Sequence, residues 1–158
     1  MNLRTLTNKL QACIQEELQA RERTLELLTR QERAILDNRS EDLAQATSKL
    51  ERELVGGVER GARRDEIFRA LARLWSVPVN AMTLSSIIER LGSGAGGLSR
   101  LRDELRDQTA RVVRANRRIA ALTRLHRRLV QDVLGALFQE EVDAMPLAGA
   151  GTLIDAEA

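Results

Sequence analysis

The chain has no tyrosine, two phenylalanines, one tryptophan, two prolines, one cysteine and one histidine in 158 residues. Each scarcity excludes something. With three aromatic side chains there is little to stack on nucleic-acid bases. With two prolines little interrupts a long helix. A lone cysteine, Cys13, cannot form an intramolecular disulfide framework and fits a reducing compartment. Its neighbours Leu6, Leu10 and Ile14 mark it as a packing residue. No apolar run approaches the roughly 20 residues that span a bilayer, and MNLRTLTNKL lacks a signal peptide's apolar block. The expectation is a cytoplasmic protein with no membrane insertion.

Leucine, alanine, arginine and glutamate dominate, which is the composition of long helices. Lys9 and Lys49 are the only lysines against 23 arginines, yet the formal net charge is only +2. Any polyanion-binding claim must therefore rest on local clustering.

Apolar periodicity divides the chain. Leu3, Leu6, Leu10, Ile14, Leu18, Leu25, Leu28 and Ile35 fall on one helical stripe, predicting a helix over about residues 2–37. DNRSED follows, where Asn38 or Ser40 can cap a second helix and Asn38 with Glu41 has capping-box spacing. Leu43, Leu50, Leu54 and Val58 form its stripe, and Gly56, Gly57 and Gly61 predict a bend or loosened segment. Ile67, Phe68, Leu71, Leu74 and Trp75 resume the stripe before SVPVNAM ends it at Pro78. TLSSIIERL, residues 83–91, reads as a short helix capped by Thr83 or Ser85, and GSGAGG, residues 92–97, as a loop.

The third long helix opens near Leu98. With Leu98 at heptad position a, Leu105, Val112, Ile119, His126 and Val133 follow at a, and Leu101, Gln108, Ala115, Leu122, Leu129 and Ala136 occupy d. The fold class is all-α: an elongated antiparallel bundle of three long helices with a short helix between the second and third. Residues 1–138 read as the helical domain and 139–158 as a flexible acidic C-terminal tail.

Candidate sites are few. Arg111, Arg114, Arg117, Arg118, Arg124, Arg127 and Arg128 avoid positions a and d, which reads first as a solvated face and otherwise as a docking surface for an acidic protein or for the chain's own tail. Residues 98–138 carry a local +6 and residues 139–158 a local −5. His126 has Leu122, Thr123, Leu129 and Val130 at the offsets a metal site needs, so no ligand set exists there. Nothing pairs Cys13 with a base, the acids of the first helix lack Glu-x-x-His spacing, and GSGAGG has neither the lysine nor the strand of a phosphate loop. Neither an enzyme, a cofactor, a metal nor a nucleic-acid partner is expected. What remains is the hydrophobic seam, available either to an amphipathic partner helix or to a second copy of the chain.

LTRQERAILDNRSEDLAQATSKLERELV, residues 28–55, MTLSSIIERL, residues 82–91, VRANRRIAALTRLHRRLVQDVLGAL, residues 113–137, and the closing GTLIDAEA together resemble the FlgN family of bacterial flagellar export chaperones. The resemblance covers most of the chain. It departs from the family where a second asparagine often stands three residues from Asn116, here Val113 or Ile119, and in having no tyrosine. The resemblance implies a cytoplasmic chaperone, monomeric or weakly dimeric. It would bind the C-terminal helix of hook-associated proteins of the hook-filament junction, keep them unpolymerised and deliver them to the export gate. On that reading the substrate-binding residues are Leu105, Val112, Asn116, Ile119, Leu122, His126, Leu129, Val133 and Leu137. The competing reading is a structural coiled-coil protein that self-associates through the same seam.

Overall fold

A computed structural model of the chain describes residues 2–144, with side chains to residue 138. All regular structure among them is helical: α1 (Leu3–Leu36), α2 (Ser40–Leu74), α3 (Leu84–Leu91) and α4 (Gly96–Ala144), with short 3-10 turns at Val79–Ala81 and Gly92–Ala95. The chain forms two compact units, residues 1–120 and 121–158. The expected acidic tail lies mostly outside the described residues; the backbone of α4 is helical to Ala144.

Local chemistry sets the helix boundaries. Asn2 caps α1 by accepting from the Thr5 amide at 2.9 Å. Both α1 and α2 end in Schellman turns. After α1, the Arg39 amide donates to Ala34 O at 2.8 Å and the Asn38 amide to Ile35 O at 3.2 Å, with Asn38 in the left-handed region at φ 54°. After α2, Val77 donates to Ala72 O at 3.0 Å and Ser76 to Arg73 O at 3.3 Å, with Ser76 at φ 53°. Asparagine tolerates that conformation better than most residues. Asn38 therefore terminates α1 and does not cap α2. The N-cap of α2 is Arg39, which makes no capping bond and instead pairs with Asp37 at 2.7 Å and Asp42 at 3.0 Å. At α3, Thr83 accepts from the Ser86 amide at 3.0 Å and Ser86 Oγ accepts from the Thr83 amide at 2.9 Å, a reciprocal cap. GSGAGG is a 3-10 turn followed directly by helix, so α4 begins at Gly96.

Within residues 1–120, α1 and α2 form an antiparallel hairpin. Its seam on α1 is Leu6, Leu10, Cys13, Glu17, Ala20, Thr24, Leu27, Gln31 and Ala34, spaced alternately by four and three, all buried or half-buried. On α2 the same spacing selects Ala46, Leu50, Glu53, Gly57, Arg60, Arg64, Ile67 and Leu71. The apolar stripe expected on α2 is thus displaced by one residue in its middle: Leu54 and Val58 are exposed, at 62% and 75%, while Glu53 and Gly57 face the seam. The middle of the hairpin is consequently polar. Glu17, 4% exposed, accepts from Arg64 Nη1 at 2.9 and 3.1 Å and lies 3.6 Å from Arg21 Nη1. Glu53 takes both ends of the Arg23 guanidinium at 3.1 and 3.2 Å, and Arg60 at 2.9 Å. Further along, Gln31 Nε2 donates to Thr47 Oγ1 at 2.8 Å.

The glycines of α2 do not interrupt it. The helix is continuous from Ser40 to Leu74, and the space above Gly56 is taken by Arg60, whose Nη1 would lie 3.1 Å from an added Cβ. There Arg60 also reaches the Glu53 carbonyl at 3.2 Å. These glycines give a guanidinium room to lie on the helix surface.

The apolar core sits at one end of the hairpin, where Leu6, Leu10, Ile14 and Leu18 of α1 meet Leu71 and Ala72 of α2, Met82, Ile87 of α3 and Leu98 of α4. Trp75 closes the end of α2 under the Arg90 guanidinium of α3, 5.8 Å from the ring centroid. Three contacts fix α4 parallel to α1. A Cβ on Gly97 would meet Gln11 Nε2 at 2.6 Å. Arg21 Nε donates to Thr109 Oγ1 at 2.9 Å, 88 residues apart in sequence, and Arg118 pairs with Glu32 at 2.7 Å, 86 apart.

Candidate functional site

The heptad seam of α4 is continuous in sequence but not in burial. From Leu98 to Leu122 every a and d residue is buried or half-buried: Leu98, Gln108 and Ala115 are buried, and Leu101, Leu105, Val112, Ile119 and Leu122 are half-buried. From residue 125 onward the described side chains are exposed.

The nine candidate binding residues therefore fall into distinct settings. Leu105 packs against the apolar core and serves the fold. Val112, Ile119 and Leu122 are half-buried. Asn116 and His126 are exposed, with Asn116 on the flank of the stripe, not in it. Leu129, Val133 and Leu137 are 55%, 58% and 55% exposed and form an open apolar row.

That row is wider than the heptad pattern indicates. Leu125, Val130, Leu134 and Phe138 are also 44–62% exposed, so seven large apolar side chains lie bare over about four helical turns. The signal for three of these extra residues was present in the apolar run LVQDVLGALF, where Val130, Leu134 and Phe138 occupy positions outside a and d. A strict two-in-seven stripe suits a partner that meets the helix along one line, whereas a face of this breadth suits a partner that wraps it or two helices packing side by side.

The arginines flank this face. Arg124, Arg127 and Arg128 are exposed, with Arg127 at the heptad position of Leu134 and Arg124 at that of Phe138, so they border the apolar side chains. Among the described residues there is no group of three or more His, Cys, Asp or Glu side chains that could hold a metal, and no helix is long and apolar enough to cross a membrane. The site's chemistry is that of association: apolar area, one exposed imidazole and a cationic border. Comparison with family models, with curated proteins and with solved structures returns no match for the chain.

Proposed function

We propose that the chain is a FlgN-like flagellar export chaperone, which binds the C-terminal helix of hook-associated proteins in the cytoplasm, keeps them unpolymerised and hands them to the export gate. The observation that carries the reading is the bare apolar face of α4 between Leu125 and Phe138. Exposed apolar surface of this extent on a helix is a binding surface in soluble proteins and an aggregation hazard otherwise. An amphipathic cargo helix laid along it buries its own polymerising face at roughly 25 cal/mol per Å² of apolar area, less the cost of ordering both partners. Protection from polymerisation then follows from occupancy, with no chemical step. His126, exposed at the N-terminal end of this face, contributes an apolar ring body and a polar edge to the contact.

The same face would serve a self-associating coiled coil, and one experiment separates the two. Light scattering is run on the purified chain alone and with a peptide of the cargo's C-terminal helix. A monomer or weak dimer that becomes a 1:1 complex supports the chaperone reading. A stable dimer that the peptide does not alter places the face between two copies and rejects it.

A further inference from the structure

Within residues 1–120, a groove of about 850 Å³ runs between α1 and α4, and its lining is strongly basic. Arg30 and Arg33 rise from α1, Arg111 and Arg114 from α4, and among the described residues none of these four has an ion-pair partner. Arg118 closes one end, held by Glu32 at 2.7 Å. At the groove's floor Gln108, 8% exposed, has a side-chain oxygen with no hydrogen-bond partner, alone among the buried side-chain polar atoms described. A buried acceptor left unpaired costs about 1–3 kcal/mol. A donor seated in the groove relieves that cost once the amide rotates towards it.

We propose that this groove docks an acidic peptide segment of a partner protein, with its carboxylates on Arg30, Arg33, Arg111 and Arg114 and an N–H donated to Gln108. Guanidinium forks match carboxylates in bidentate geometry. The lining argues against a nucleic acid as occupant. Glu22 and Glu26 sit in the same groove and repel an unbroken phosphate backbone, whereas a peptide can place an uncharged or basic residue opposite them. No aromatic side chain lines it for base stacking. Leu25 and Ala115 add an apolar strip that fits one face of a short helix. The groove shares no residue with the face at 125–138, so this proposal and the chaperone reading stand or fall separately.

Fluorescence anisotropy with a labelled Glu/Ala-rich helical peptide, and its Gln/Ala counterpart, tests the proposal on the full chain. The acidic peptide binds and the neutral one does not. Arg111→Ala with Arg114→Ala weakens binding about tenfold or more, since each removes a charge-assisted contact, and Gln108→Leu weakens it about fivefold. Arg124→Ala with Arg127→Ala, a pair of equal charge elsewhere on α4, changes it less than about twofold. Circular dichroism on each variant verifies the fold. Equal weakening by both arginine pairs, or no effect of Gln108→Leu, reduces the binding to diffuse charge and overturns the groove. Tighter binding of an oligothymidine of matched charge, dependent on Arg111 and Arg114, assigns the groove to nucleic acid and overturns the peptide. If the peptide binds only after Glu140, Glu141, Asp143, Asp155 and Glu157 are converted to their amides, the occupant is the chain's own C-terminus, and the proposal fails in that form.

Discussion

Replacing Leu129 by aspartate asks whether the bare face of α4 belongs to the fold or to a partner. Leu129 is 55% exposed in the free chain, so about half its surface is still to be buried when a partner helix docks. Full burial of a leucine contributes about 1.5–3 kcal/mol, leaving roughly 0.8–1.6 kcal/mol for the complex. The aspartate also places a carboxylate in an apolar contact at a further ~1–3 kcal/mol. Together these weaken a cargo-helix complex by about 2–4 kcal/mol, or ~30- to ~1000-fold in Kd, measured by isothermal titration calorimetry.

The free chain should barely respond. An exposed helix position changes stability by about 0.5 kcal/mol or less, a shift of one or two degrees in Tm for a chain of this size. Leu71→Ala gives the scale for a residue the fold depends on: Leu71 is 0% exposed in the core, and its truncation costs roughly 3–5 kcal/mol and about 6–20 °C. The reasoning fails if Leu129→Asp lowers Tm as far as Leu71→Ala does, because the face is then covered in the free chain. It fails equally if cargo affinity ignores Leu129→Asp and drops with Arg124→Ala, which makes docking electrostatic.

Three further outcomes test the hairpin. Gly61→Ala should raise stability by about 1 kcal/mol in urea unfolding, since an added Cβ meets nothing within 4 Å, while Gly56→Ala should gain less because its Cβ crowds Arg60 at 3.1 Å. Burial first, and Glu17 next, push the Cys13 thiol above its ordinary pKa of 9.0, so it should resist Ellman's reagent at neutral pH in the native chain and react fully in urea; immediate native reaction contradicts the packing. The Arg23 hydrogen bond, ahead of the attraction of Arg60, holds the Glu53 carboxyl below its ordinary 4.5. Its stabilisation is therefore complete above about pH 4.5 and is lost as pH falls through the lower folded value, so Glu53→Gln should be less stable than the parent near pH 7 and lose less than the parent on acidification, compared by urea midpoints.

Much of this architecture is legible in the residues. The leucines of α1 mark a helix within one residue of its observed ends, and Thr83 marks the start of α3. Two features resist such reading. Asn38 looks like a cap for the helix after it, yet left-handed asparagine also ends the helix before it, and which role wins depends on hydrogen bonds back to Ala34 and Ile35 that spacing does not reveal. The stripe through Leu54 and Val58 is the more apolar choice on α2, but apolarity does not measure how closely two helices approach. The hairpin selects the row containing Ala46 and Gly57, whose small side chains allow contact, and fills the rest with Glu53, Arg60 and Arg64, which are satisfied across the interface and along the helix.

The candidate site is obscured for a different reason. A heptad pattern states which side of α4 is apolar and is silent on how far its neighbours extend. The distinction between core and binding surface comes from burial: the a and d residues of α4 are covered as far as Leu122, and the described side chains are exposed from residue 125. Residues with the same spacing and the same chemistry, Leu105 and Leu129, thus acquire opposite roles, one in the core and one bare. Conversely, the polar seam at Glu17, Arg64, Glu53 and Arg60 fixes the pairing of α1 with α2, since sliding the helices by a turn would strand a buried carboxylate at a cost of several kcal/mol. Register in the hairpin thus rests on charge.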